Sequence, residues 1–235
     1  MAKEHVHDVF ESIATGYDAA NDRISFGAHR AWKRALVERA VAAAAASDPG
    51  MVLDVCCGTG DITQAIAQRS AGTLAVGLDF SAAMLDVARA RTTALENVML
   101  VEGDAQALPF EGDVFDAAVI SFGLRNTPDY EQVLREMCRV TRPGGVVACL
   151  DASVPDNGFV QPFYQLYYKN IMTRIGGGRE KREEYRWLYD STQEFLRKNE
   201  LEGLFRAVGL EYVTVRSFMF GAAALHIGIV PYRAS

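Results

Sequence analysis

Apolar and polar positions along the chain change period near residue 50. Before that point Val6, Val9, Phe10, Ile13 and Tyr17 recur at helical spacing, and Trp32, Leu36, Val37, Ala40 and Val41 form a second such stripe. A polar stretch, 21–27, separates the two. The alanine-rich end of the second stripe runs into Ser47-Asp48-Pro49-Gly50, which predicts a helix stop and a turn. From residue 51 the chain alternates short apolar runs with helical periods. Runs at 51–55, 74–79, 98–101, 115–120 and 146–150 predict five strands. Helical periods resume from Ile62 and cover 81–93 and 130–140, and Arg142-Pro143-Gly144-Gly145 predicts a turn before the fifth strand. Strands that are nearly continuous apolar runs, each followed by a helix, predict an α/β chain whose parallel sheet is covered on both faces. Residues 155–205 break the rhythm with mixed charges, many aromatics and the triplet Gly176-Gly177-Gly178. A helix at 194–207 and strands at 211–220 and 225–230, separated by Gly221-Ala222-Ala223-Ala224, close the pattern. The expected organisation is one domain of 1–235: a helical lid (1–50), a ligand-binding core (51–154), an insertion (155–205) and closing strands (206–235).

Composition narrows the function classes. A chain of 235 residues with 49% hydrophobic residues has enough apolar surface for a large core, which excludes disorder and a disulfide-stapled scaffold. Its 24 Lys and Arg against 30 Asp and Glu leave a net charge of −6, the wrong sign for a nucleic-acid binder. No apolar run approaches the ~18–20 residues of a membrane-spanning helix. Residues 1–12 carry acids and no apolar stretch, so no leader is expected. Cys56, Cys57, Cys138 and Cys149 form no Cys-x-x-Cys pair and no ligand cluster, so reduced thiols, a cytoplasmic chain and no metal are expected.

The chemistry gathers at strand ends. Gly58-Thr59-Gly60 follows the first core strand and opens a helix, which places backbone N–H groups at the carboxyl edge of the sheet. A dinucleotide loop would carry a third glycine at position 63, where Thr63 stands, and no Gly-Lys-Ser/Thr follows for a nucleotide phosphate loop. Asp54 and Asp61 flank the loop, and their charge would repel a pyrophosphate. They suit a ligand with an α-amino group, a sulfonium and no phosphate, which describes S-adenosylmethionine. Asp79 ends the second strand where an acid accepts ribose hydroxyls, and Asp104 ends the third near the adenine position. Each acid alone could be a cap or turn residue; four around one loop point to a site.

Four motifs carry a resemblance. Val52-Leu53-Asp54-Val55-Cys56-Cys57-Gly58-Thr59-Gly60-Asp61 resembles the S-adenosylmethionine loop of class I methyltransferases. Val9-Phe10-x-x-Ile13-Ala14-x-x-Tyr17-Asp18-x-x-Asn21 with Ser25-x-Gly27-x-His29-Arg30-x-Trp32-Lys33 is similar to the N-terminal signature of the ubiquinone/menaquinone biosynthesis C-methyltransferases. Ser121-Phe122-Gly123-Leu124-Arg125-Asn126 matches that family's hexapeptide, and Gly221-x-Ala223-x-x-His226-x-Gly228 resembles its C-terminal signature. The resemblance implies a Rossmann-like, doubly wound, mostly parallel seven-stranded sheet with N-terminal helices and a helical insertion after the fifth strand. It also implies methyl transfer from S-adenosylmethionine to a ring carbon of a prenylated hydroquinone, most specifically demethylmenaquinol. Carried over as cofactor contacts are Thr59, Asp79, Asp104, Ala105 and Ser121. The insertion departs from the family, with Ile175-Gly176-Gly177-Gly178 in place of a Pro-Gly turn and Phe195-Leu196 lacking a proline.

Ring methylation needs an electron-rich carbon, and a phenol of pKa near 10 must be helped to become an aryloxide. Arg125 is the expected fixed cation, with a salt bridge to a nearby acid as its structural alternative. His29 and His226 are the expected proton acceptors, each weighed against an ordinary hydrogen-bonded role. Tyr17, with Asp18 and Asn21, is expected on a lid that excludes water. The apolar stretch from Phe159 to Met172 fits either packing on the sheet or a second subunit, or a face for the prenyl tail and the membrane surface. Other readings stay open: a benzoquinol of the ubiquinone pathway, another phenolic or lipid acceptor, or a non-catalytic S-adenosylmethionine-binding subunit.

Overall fold

A computed structural model of the chain describes residues 22, 25, 27–155 and 191–232. The predicted lid residue Tyr17 and the apolar stretch of the insertion lie outside them. The described elements are α1 (His29–Ala44), β1 (Gly50–Val55), α2 (Asp61–Arg69), β2 (Thr73–Asp79), α3 (Ala82–Thr92), β3 (Val98–Glu102), β4 (Phe115–Ser121), α4 (Tyr130–Val140), β5 (Thr141–Ala152), α5 (Lys198–Ala207), β6 (Glu211–Phe218) and β7 (Ala223–Ile229). They build one seven-stranded sheet in the order β3-β2-β1-β4-β5-β7-β6. The pairs among β1 to β5 are parallel, and β7 runs antiparallel between β5 and β6. The strand order reverses beside β1, so the carboxyl ends of β1 and β4 diverge there and open a crevice.

Side-chain alternation explains the two-sided burial. Leu53 and Val55 of β1 and Ala118 and Ile120 of β4 face one apolar layer, closed by Leu134 and Met137 of α4 and Phe205 of α5. Val52, Ala117 and Val119 face the opposite layer, closed by Trp32 and Leu36 of α1 and Ile62 and Ile66 of α2. Each large side chain fully withdrawn from water in these layers contributes about 1.5–3 kcal/mol.

Three boundaries differ from expectation. Strand β5 starts at Thr141 rather than after the glycines, because Thr141 already pairs with Phe115 and the register shifts before Ala117 meets Val146. Residues 142–145 are therefore a bulge within the strand, with Gly144 at φ +79°. The helix expected at 194–207 is interrupted. Phe195 buries its ring edge-on against Tyr130 at 5.2 Å, and the helix restarts where Glu200 accepts a 2.7 Å hydrogen bond from the Arg197 N–H. The alanines expected to separate the last strands belong to β7, with Ala223 and Ala224 paired to both neighbours. The actual turn is Met219–Gly221, where Met219 and Phe220 adopt φ +42° and +56°.

Candidate active site

The cleft lies at the carboxyl ends of β1, β2, β3 and β4. It encloses about 950 Å³ when the space of its open mouth is counted. Its floor is the turn after β1. Cys56, Gly58 and Gly60 all take positive φ there, which swings the chain back over the sheet and starts α2. The two glycines differ in purpose. A Cβ on Gly58 would meet nothing within 4 Å, so this face of the loop is open to the cleft. A Cβ on Gly60 would sit 2.8 Å from Cβ of Ala88, so Gly60 lets the loop press on α3. Both sit in the left-handed region that favours glycine.

Asp79 ends β2 and faces the cleft at 5% exposure. Its two carboxylate oxygens accept from the backbone N–H groups of Gly58 (2.8 Å) and Ser81 (3.0 Å). The carboxylate is thus oriented by the loop it faces, and carboxylates accept up to about four hydrogen bonds. Asp104, after β3, is held by the Gln106 N–H at 3.0 Å, with Ala105 beside it on the same wall. Thr59 is buried and its hydroxyl accepts from Arg91. Asp61 pairs with Lys33 at 2.6 Å, and the Lys33 ammonium also lies 5.8 Å from the centre of the Phe122 ring. Burial pushes the Cys56 and Cys57 thiols well above their usual range, so both stay neutral at the cleft.

Two buried oxygens lack partners at the end of β4. The Ser121 hydroxyl and the Asn126 side-chain carbonyl are both withdrawn from water, and both residues line the cleft. A buried polar atom without a partner is costly unless a ligand supplies one. With Asp79, Asp104 and the open face of Gly58, they make a wall of acceptors. This donor set fits S-adenosylmethionine, which brings hydroxyls, an ammonium and a positive sulfur, and it does not fit a phosphate.

Several expected site residues lie elsewhere. Asp54 is beneath the loop, 1% exposed, and accepts a 2.6 Å hydrogen bond from Thr63. Burial raises its pKa to about 7, and the cleft wall does not include it. Arg125 requires a correction. Its guanidinium donates to the buried Asp151 carboxylate at 2.6 Å and to the carbonyl of half-buried Phe122 at 2.8 Å. The salt-bridge alternative describes it, and a neutralised pair under the turn is not the lone cation that an aryloxide needs. His29 accepts or donates to Ser25 at 2.6 Å and faces a groove between α1 and α2. His226 donates from Nε2 to the Lys198 carbonyl at 2.8 Å and packs on Phe205 under α5. Burial lowers the pKa of both histidines, and neither lines the cleft.

Sequence reasoning missed Lys33, Asn126 and Asp151. Lys33 is one residue past buried Trp32 on α1, so the helix that covers the sheet also aims a cation at the loop. A basic residue next to the buried stripe was the available signal.

The ubiE/COQ5 methyltransferase family profile matches residues 1–230. The chain belongs to that family. Proteins named demethylmenaquinone methyltransferase from Staphylococcus aureus strains JH9 and Newman are each 46% identical to it over 233 residues, covering 96% of this chain and 93% of theirs. Solved structures share the fold. A Haloferax volcanii complex of the Trm112 methyltransferase activator and a methyltransferase matches with a TM-score of 0.69 at 20% identity, over 98% of this chain and 99% of that one. An S-adenosyl-L-methionine-dependent methyltransferase from Methanococcus maripaludis matches with a TM-score of 0.65 at 16% identity, over 95% and 94%. The sheet is that of the methyltransferase fold, and the protein is a methyltransferase of the ubiE/COQ5 family.

Proposed function

We propose that this methyltransferase moves a methyl group from S-adenosylmethionine to a ring carbon of a prenylated hydroquinone, with demethylmenaquinol as the acceptor. What carries the reading is a cleft of oriented acids in a chain that resembles demethylmenaquinone methyltransferases over 96% of its length. S-adenosylmethionine, when bound, supplies an electrophilic methyl on a positively charged sulfur. Asp79 and Asp104 fix the donor's orientation, because each is itself held by a backbone N–H. The unpartnered oxygens of Ser121 and Asn126 stand in the same cleft at the end of β4, Ser121 as a contact for the donor and Asn126 open to the acceptor ring. The Asn126 carbonyl can take a hydrogen bond from a hydroquinol hydroxyl, which polarises that O–H and raises electron density in the ring, while the ring-carbon proton that the methyl group replaces leaves to water. Arg125 and Asp151 position this group: the Arg125 backbone N–H and guanidinium both bind the Asp151 carboxylate, which pins the turn Leu124–Asn126. Alignment of acceptor and donor supplies most of the rate.

The acceptor must be reduced, since only the hydroquinol ring carbon is nucleophilic. Turnover measured on demethylmenaquinol should be high with a reductant present and absent on the quinone. Equal rates with and without reductant would overturn the proposed reaction.

A further inference from the structure

Five large apolar side chains are markedly exposed among the described residues: Met99, Tyr212, Met219, Phe220 and Tyr232. Their distribution is uneven. Tyr212 is the second residue of β6 and Tyr232 follows β7, and pairing of Glu211 with Ile229 and of Ile229 with Val146 puts both at the amino edge of the sheet. Met99 lies in the edge strand β3. Of these five, Met219 and Phe220 lie at the carboxyl edge, because Phe218 and Ala152 both pair with Ala223. That is the edge on which the cleft opens.

The turn is built to hold them out. Phe220 is 84% exposed and Met219 48%, and both backbones are in the left-handed region that L side chains adopt only at a cost. Glycine follows at 221 rather than standing at either position. The turn is also anchored to the site wall. Phe218 stacks on Trp32 with ring centres 5.7 Å apart, and Trp32 meets the cleft residue Phe122 at 6.5 Å. Exposed Arg216 lies 5.0 Å from the Phe218 ring, so a cation flanks the apolar tip. An apolar tip with a basic neighbour, linked by ring contacts to a site mouth, has the chemistry of an interfacial lipid contact.

We propose that the Met219–Phe220 turn seats the enzyme on a lipid bilayer, with Phe220 and Met219 entering the headgroup boundary and Arg216 meeting lipid phosphates. This rests on the prenylated-quinol reading, because an acceptor with a long apolar tail resides in a bilayer and the cleft mouth must face it.

The experiment measures partitioning onto phosphatidylcholine–phosphatidylglycerol vesicles by flotation. The wild type should float, and should still do so in 0.5 M salt because the contact is mainly apolar. The Met219→Ser, Phe220→Ser chain should lose at least tenfold in partitioning. Phe220→Gly removes the ring at a backbone glycine accepts freely, so it should keep the wild-type Tm and still lose most of the binding. Phe220→Trp should give a blue-shifted emission on vesicles that brominated lipids quench. Unchanged flotation of the serine and glycine variants would overturn the proposal. So would a wild type that ignores vesicles and forms a dimer dissolved by Phe220→Ser, which would give the turn to a second copy. Methylation of a short-tailed quinol in buffer reads the reaction separately. Turnover there without flotation overturns the docking and spares the reaction; tip-dependent flotation without turnover on any quinol does the reverse.

Discussion

Two buried charges show how far single residues carry the fold. Arg125 and Asp151 are 8% and 2% exposed at the side chain and 2.6 Å apart. Removing one member of such a pair strands the other charge, a loss of about 3–5 kcal/mol. Asp151→Ala should lower unfolding stability by that amount in urea, while Arg125→Met with Asp151→Leu should recover much of it. An Asp151→Ala chain within 1 kcal/mol of the wild type would deny the pair its supporting role. Asp54 acts through a proton. Its pKa rises from 3.8 when exposed to about 7 in the fold, chiefly by burial. The folded chain therefore holds a proton that the unfolded chain releases, so this stability is complete below about pH 4 and is lost as pH rises to about 7. The difference spans roughly 4 kcal/mol. Asp54→Asn should gain on the wild type steadily from pH 4 to pH 7 and run parallel to it above, as followed by urea midpoints. Asp79 and Asp104 were legible in the sequence because each follows a short apolar run, and a strand end is a local signal, whereas Ser121 came from the family resemblance. The Arg125 partner was not. Asp151 is far along the chain, and only the adjacency of β4 and β5 brings it under the turn.

At the scale of elements, the close fit of loop, helix and strand depends on Gly77 in the middle of β2. A Cβ there would lie 2.8 Å from the Thr63 hydroxyl, 2.9 Å from Leu100 and 3.0 Å from the Cys57 sulfur. Three elements thus converge on the missing side chain: α2, β3 and the loop that floors the cleft. Gly77→Ala should lower stability by about 1–3 kcal/mol, as overpacking does. It should also weaken S-adenosylmethionine binding, because Cys57 must move and the Thr63 bond to Asp54 must lengthen. Titration calorimetry beside thermal melts separates these effects; unchanged binding would show that the loop is insulated from β2. The element pattern itself was readable from apolar runs. Its errors fell where pairing overrides composition, as at Arg142-Pro143-Gly144-Gly145, whose turn residues form a bulge because Thr141 had already joined β4.

At the scale of the whole molecule, the parallel half of the sheet and the alternation of layers followed from sequence, since continuous apolar runs separated by helices permit few other arrangements. The placement of the last two strands did not follow, because their alternation says nothing about which neighbour each will choose. The order β5-β7-β6 has a consequence during synthesis. Strand β5 lies between β4, made before it, and β7, made last, so one of its sides lacks a partner until β7 is made. Roughly 70 residues intervene, and at about 5–20 residues per second the ribosome needs several seconds to make them. Throughout that interval the nascent chain presents an unsatisfied row of backbone donors and acceptors on a strand rich in buried apolar residues, the kind of edge that recruits other chains. Translation therefore sets the time at which this enzyme becomes safe from aggregation, and a chaperone that shields β5 until Ala223 emerges would have more effect on yield than one acting on the finished protein.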